Sequence, residues 1–216
     1  MTPIQRWLLA FALVIVAVAI SYEWLDRPIA FFSYALHPGP KQALFEPLTH
    51  IPDPLIPGAA IAFVVLGLWA LAGRPLSRWQ ATVLLCSVSL PVASAIKEQL
   101  KYVFGRTWPE TWVQNNPSLI HDGVYGFNFF RSGAGYSSFP SGHTTLTCAI
   151  VSVLWIVYPR YRPIYGAVVL AVAIGLLGAD FHFLSDVIAG GFVGTSTGWM
   201  ATVLYDELAT KPLVKS

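Results

Sequence analysis

The chain has 216 residues, of which 55% are hydrophobic and only 11% charged, far below the roughly 25% charged residues of an ordinary soluble domain. A formal charge of +2, with no window rich in Lys and Arg, excludes a phosphate-tracking nucleic-acid surface, so nucleic acid is not expected as a partner. The two cysteines, Cys86 and Cys148, lie inside apolar runs and offer neither a disulfide framework nor a thiolate metal site.

In chain order, six apolar segments fall at about 6–22, 54–73, 79–104, 143–158, 164–180 and 183–205, each near the roughly 20 residues that cross a bilayer. They predict an all-α membrane protein: one integral membrane domain over 1–216, built as a six-helix bundle. The first segment follows Arg6 and contains the small-residue run 17–19. At about 17 residues it exceeds the roughly 7–15 of a secretory h-region, so it is read as an uncleaved span. Residues 23–53 mix Trp24, Phe31, Phe32, Tyr34 and Phe45 with prolines and charges, the composition of short helices at the membrane interface. The stretch 105–142 is a long loop rich in Gly, Ser, Asn and Pro, and loops of that length are usually functional.

Basic residues orient the bundle. With the N-terminus in the cytoplasm, Arg6, Arg74, Arg78, Arg160, Arg162, Lys211 and Lys215 lie inside, and Arg27, Lys41, Lys97, Lys101, Arg106 and Arg131 outside. The totals are nearly even, but the two short inner turns, Arg74 to Arg78 and Arg160 to Arg162, carry only positive charge. That is the positive-inside pattern, and it turns the long loop outward.

Under this topology three polar clusters meet at the outer face: Lys101 at the end of the third span, Pro140-Ser141-Gly142-His143 at the start of the fourth, and His182 with Asp186 at the start of the sixth. Ionisable groups at membrane depth are costly and mark function. Pro-Ser-Gly-His at a helix start gathers free amides, the positive dipole end and a hydroxyl around one point, with His143 beside it; taken alone it also reads as an ordinary N-cap. His182 and Asp186 share a helix face, so the carboxylate can hold one ring nitrogen and leave the other nucleophilic; taken alone the pair also reads as structural. Arg106 follows Gly105, a helix terminator, and its guanidinium can clasp an oxyanion at two points or contact a headgroup. His37, His50 and His121 show no ligand spacing and are read as surface or interface residues.

The order Lys101-Tyr-Val-Phe-Gly-Arg-Thr-Trp-Pro109, then Pro140-Ser-Gly-His143, then His182-x-x-x-Asp186 resembles the type 2 phosphatidic acid phosphatase family, which includes lipid phosphate phosphatases and bacterial undecaprenyl diphosphate phosphatases. The resemblance implies that His182 attacks phosphorus to form a phosphohistidine, that Asp186 orients it, and that His143 protonates the leaving group and later activates water. Lys101, Arg106, Ser141 and Gly142 would bind phosphate, with no metal or other cofactor. The partners implied are the bilayer and a lipid phosphate, either a phosphomonoester or a diphosphate, such as phosphatidic acid, phosphatidylglycerophosphate, a polyprenyl diphosphate or a lipid A type. A bacterial inner membrane, with the site facing the periplasm or outside, is the implied location. The oligomeric state is not readable.

Two departures stand out. Trp108 occupies the place of the arginine in the family's Lys-x6-Arg-Pro motif, and Gly175-Leu176 that of Ser-Arg before His182. Two phosphate-binding arginines are absent, with Arg106 and Arg131 as candidate replacements. The absence also motivates an alternative reading, a non-catalytic lipid phosphate binder or transporter on the same scaffold. A membrane serine protease using Ser141 and His182 is a further rival, but it leaves His143 and Asp186 without a role.

Overall fold

The computed structural model describes residues 1–36, 42–112 and 115–208; His37, Lys41, Lys211 and Lys215 lie outside the described residues. Among the described residues, four helices are long and apolar enough to cross a membrane: Pro3–Leu36, Arg78–Phe104, Pro159–Gly178 and Leu184–Glu207. Two shorter apolar helices, Leu55–Leu71 and Gly142–Val157, complete the apolar set. The predicted segments therefore all appear as helices. The chain is an integral membrane protein, and large apolar side chains such as Leu8, Leu13, Ile61, Leu68 and Leu170 stand exposed on its outside, as a lipid-facing surface requires.

We label the helices α1 (Pro3–Ile20), α2 (Asp26–Leu36), α3 (Gln42–Thr49), α4 (Leu55–Leu71), α5 (Arg78–Phe104), α6 (Leu119–Asp122), α7 (Gly142–Val157), α8 (Arg162–Gly178) and α9 (Leu184–Leu208). The first helix does not stop near residue 22. A π-helical turn, Ser21–Leu25, carries it directly into α2. Such an inserted turn shifts the helix face, and Asp26, the residue that follows it, is buried. Short helices are thus present in this stretch as α2 and α3, but α2 is the continuation of the first span.

α7 and α9 form the most extensive pairing. Gly190, Gly194 and Gly198 recur at helical spacing along the contact, and a Cβ on Gly190 would stand 2.6 Å from the Ser141 carbonyl, one on Gly194 2.8 Å from the Ala149 nitrogen. Small residues let two helix backbones approach inside a membrane, and here the approach holds the starts of α7 and α9 together. α1 leans on α9, where Trp7 donates to Ser196 Oγ at 3.0 Å and stacks with Phe11 and Phe192. At the end away from the long loop, Arg78 donates to the Val157 carbonyl at 2.7 Å and lies over Tyr158, so the two basic turns are neighbours.

Candidate active site

Each site element is placed by a local device. Gly105 ends α5 with φ 52, a left-handed conformation that glycine adopts without strain, and a side chain there would strike the Asn128 carbonyl. Ser141 caps α7: its Oγ accepts from the Thr144 amide at 3.4 Å and the Thr144 hydroxyl at 3.1 Å. The Ser141 amide donates to the Asp186 carbonyl at 3.0 Å, which ties the cap to α9. The Gly142 and His143 amides are left at the helix end without intrahelical acceptors. Asp180, with φ 54, turns the chain between α8 and α9, and the His182 amide donates to Leu176 at 3.3 Å.

His182 is 5% exposed. Its Nδ1 lies 3.5 Å from Asp186 Oδ2, and Ser138 Oγ spans the pair, donating to Asp186 Oδ2 at 2.6 Å while 3.4 Å from His182 Nδ1. The Phe183 amide also donates to Asp186 Oδ2, at 3.0 Å. With Nδ1 turned to the carboxylate, Nε2 is the nitrogen left for chemistry. Burial pushes the imidazole below its ordinary value, against the opposing pull of Asp186, which favours the neutral ring. Lys101 comes to the same place, for a Cβ on Gly142 would lie 3.9 Å from Lys101 Nζ. His143 is within electrostatic reach of His182, Lys101 and Asp53. The three sequence clusters therefore converge.

Arg106 does not sit where the sequence placed it. Its guanidinium is wholly buried, donating to Asp186 Oδ1 at 2.5 Å, Ser185 Oγ at 2.5 Å, Asp26 Oδ2 at 2.7 Å and the Tyr125 hydroxyl at 3.0 Å. Tyr22, Tyr125, Phe127 and Phe183 enclose it. Burial works against its charge, but Asp186 and Asp26 outweigh that and keep it cationic. A group so engaged cannot clasp an external oxyanion; it is the clamp behind Asp186. Arg131, the other candidate, lies exposed over the Tyr136 ring at 4.0 Å.

Ser141 is likewise fully buried, its hydroxyl engaged in the cap of α7. Trp108 lines the site, its ring 5.1 Å from that of His182 and its Nε1 donating to the Ala134 carbonyl at 2.7 Å. Where the family carries Ser-Arg, Gly175 gives α3 room, since a Cβ there would meet Leu48 at 2.8 Å, and Leu176 joins an apolar cluster with Val172 and Val187. His121 pairs with Glu110 at 2.7 Å, as a surface residue would. His50 is exposed, as expected of a surface residue, and also lies edge-on to His143 with centroids 6.1 Å apart.

Sequence reasoning missed Asp26, Ser138 and Ser185. Asp26 accepts from the Ser185 amide at 2.9 Å and from its hydroxyl, and from Tyr125 at 3.1 Å. Its one legible signal was a carboxylate among the aromatic residues near the interface.

A buried carboxylate–histidine pair, a helix N-terminus and a lysine thus come together at one end of the bundle, the kinds of group that can handle a phosphate. The model of the PAP2 superfamily matches residues 80–209, and the chain belongs to this superfamily. It is similar to the lipid A 1-phosphatase of Rhizobium etli, 28% identical over 210 residues covering 92% of this chain and 84% of the relative. A lipid A 1-phosphatase of Rhizobium johnstonii is 26% identical over 216 residues, covering 94% and 82%. The fold is shared with a transmembrane PAP2-type phosphatidylglycerolphosphate phosphatase from Bacillus subtilis, with TM-score 0.60, 16% identity and coverage of 94% of this chain and 98% of that one. The protein is a membrane phosphatase.

Proposed function

We propose that the chain, working as a single membrane domain, hydrolyses a lipid phosphomonoester of the lipid A type through a phosphohistidine at the outer face of a bacterial inner membrane, without a metal. The observation that carries this reading is the Asp186–His182 pair brought against the α7 N-terminus and Lys101. The substrate class draws on the two lipid A 1-phosphatase relatives. An apolar groove between α4, α5 and α7, bounded by Ile56, Phe63, Pro91 and Leu146 and capped by Lys97, suits an acyl chain whose headgroup reaches the site.

In the reaction, His182 Nε2 attacks phosphorus while Asp186 stabilises the charge that develops on the ring. The P–O bond to the leaving group breaks, and His143 gives it a proton. Lys101 and the Gly142 and His143 amides hold the equatorial oxygens, where charge stabilisation contributes most. Water then attacks phosphorus, its proton passes to His143, the P–N bond breaks, and His182 and inorganic phosphate are released.

The test is phosphate release in detergent from a lipid A precursor, phosphatidic acid, phosphatidylglycerophosphate and a polyprenyl diphosphate, with chelator present, beside His182→Ala. Release from the lipid A precursor that survives chelator and disappears in the variant supports the proposal. Preference for another lipid corrects the substrate, and turnover in His182→Ala refutes the mechanism.

A further inference from the structure

His50, Asp53 and His143 form a cluster of metal-ligating side chains among the described residues, one ligand atom of each lying within 4.8 Å of the others. We propose that these three residues bind a divalent transition-metal ion of the zinc class, and that the bound ion inhibits the phosphatase by occupying His143. The inhibitory half rests on the proton-transfer role assigned above to His143; the binding half does not.

The donor set is two imidazoles and a carboxylate, which suits zinc-like ions and not the all-oxygen preference of Mg²⁺ or Ca²⁺. Ligand bonds of about 2.0–2.2 Å put tetrahedral donors about 3–3.5 Å apart. His50 Nδ1 and Asp53 Oδ2 are 2.5 Å apart, and His143 Nε2 and Asp53 Oδ1 4.0 Å, so the present separations bracket that value and small side-chain rotations meet it. All three side chains are partly exposed, between 35% and 51%, and an ion can reach them from solvent. Glu46 Oε1 lies 3.5 Å from His50 Nε2. A carboxylate on the far nitrogen of a ligand histidine fixes its tautomer and strengthens the ligand.

α3 seats Phe45, Leu48 and Thr49 where Gly175 and Gly178 of α8 present no side chain. The turn after α3 then brings His50 and Asp53 to the start of α7. Coordination uses the lone pair of the histidine nitrogen and expels any proton it carries. A liganded His143 can therefore neither donate to the leaving group nor accept from water.

Zn²⁺ is titrated into purified wild-type protein, His50→Ala and Asp53→Asn, following heat of binding, zinc retained after dialysis, and phosphate release. Wild type should hold a single Zn²⁺ per chain and lose about 100-fold in turnover at saturation, the scale of general acid–base catalysis, with recovery on adding EDTA. Both variants should lose stoichiometric zinc, and His50→Ala should keep its metal-free turnover and resist inhibition. Zinc absent from the wild type, or bound equally by His50→Ala and Asp53→Asn, overturns the site. Bound zinc without inhibition overturns the regulatory half. Retained zinc is measured without turnover, so the site is decided even if none of the lipids tested is a substrate.

Discussion

Arg106 is the residue whose role changed most between sequence and structure, and its removal distinguishes the two roles. In Arg106→Met the apolar stem is kept and the guanidinium lost, leaving Asp26 and Asp186 buried without their shared cation. Both side chains and that of Arg106 are 0% exposed, so solvent screening does not soften the loss, and breaking such a buried pair costs about 3–5 kcal/mol. One of the two carboxylates should then take up a proton. Where that carboxylate is Asp186, His182 loses its orienting charge. Turnover should fall about 100-fold, short of the ~10⁴ seen when an orienting carboxylate is itself neutralised, with KM nearly unchanged. Arg106→Met/Asp26→Asn removes the uncompensated charge at the second carboxylate and should recover part of the stability. The assays are thermal unfolding in detergent and steady-state phosphate release. A stable Arg106→Met protein with normal kcat and a raised KM would refute the clamp and restore Arg106 as a phosphate ligand.

Neutralising the orienter directly, Asp186→Asn should lower kcat by about 10³–10⁴-fold while the protein still binds vanadate, measured by competition. Gly194→Ala places a methyl group against the Thr145 and Ala149 backbone and should cost about 1–3 kcal/mol through overpacking. Gly191→Ala, whose Cβ meets only the Thr144 and Cys148 side chains at 3.8 and 3.9 Å, should be nearly neutral; equal melting temperatures for the two would refute the close α7–α9 approach. Because burial lowers the His182 pKa, the neutral nucleophile persists below the ordinary imidazole value of about 6.5. The acidic limb of kcat/KM should therefore fall below that value, and a limb above it would contradict a buried neutral nucleophile.

The apolar segments were legible because helices that face lipid are apolar over their whole length, a signal that tertiary contacts do not mask. Gly105 as a terminator was a local rule, and the structure follows it; His182 and Asp186 do pair, but His182 lies in the turn before α9 and does not share a helix face with Asp186. What escaped were relations across distance. Asp26 reaches Arg106 from 80 residues away, and the π-helical turn beside it has no sequence signature that hydropathy reads. His50 and Asp53 carry no ligand spacing with His143 until α3 is seated on α8. The glycines of α9 were visible as letters, but their meaning depends on the helix laid against them. Trp108 could have faced either the bilayer interface or the site, and its packing on His182 decided the matter.

Rapid quenching of the wild-type enzyme with lipid A precursor labelled in the hydrolysed phosphate tests the central claim most directly. The account predicts an acid-labile, base-stable phosphoenzyme that appears before free phosphate, maps by mass spectrometry to His182 and is absent from His182→Ala. Turnover with no labelled protein at any time point, or label carried by another residue, would contradict it.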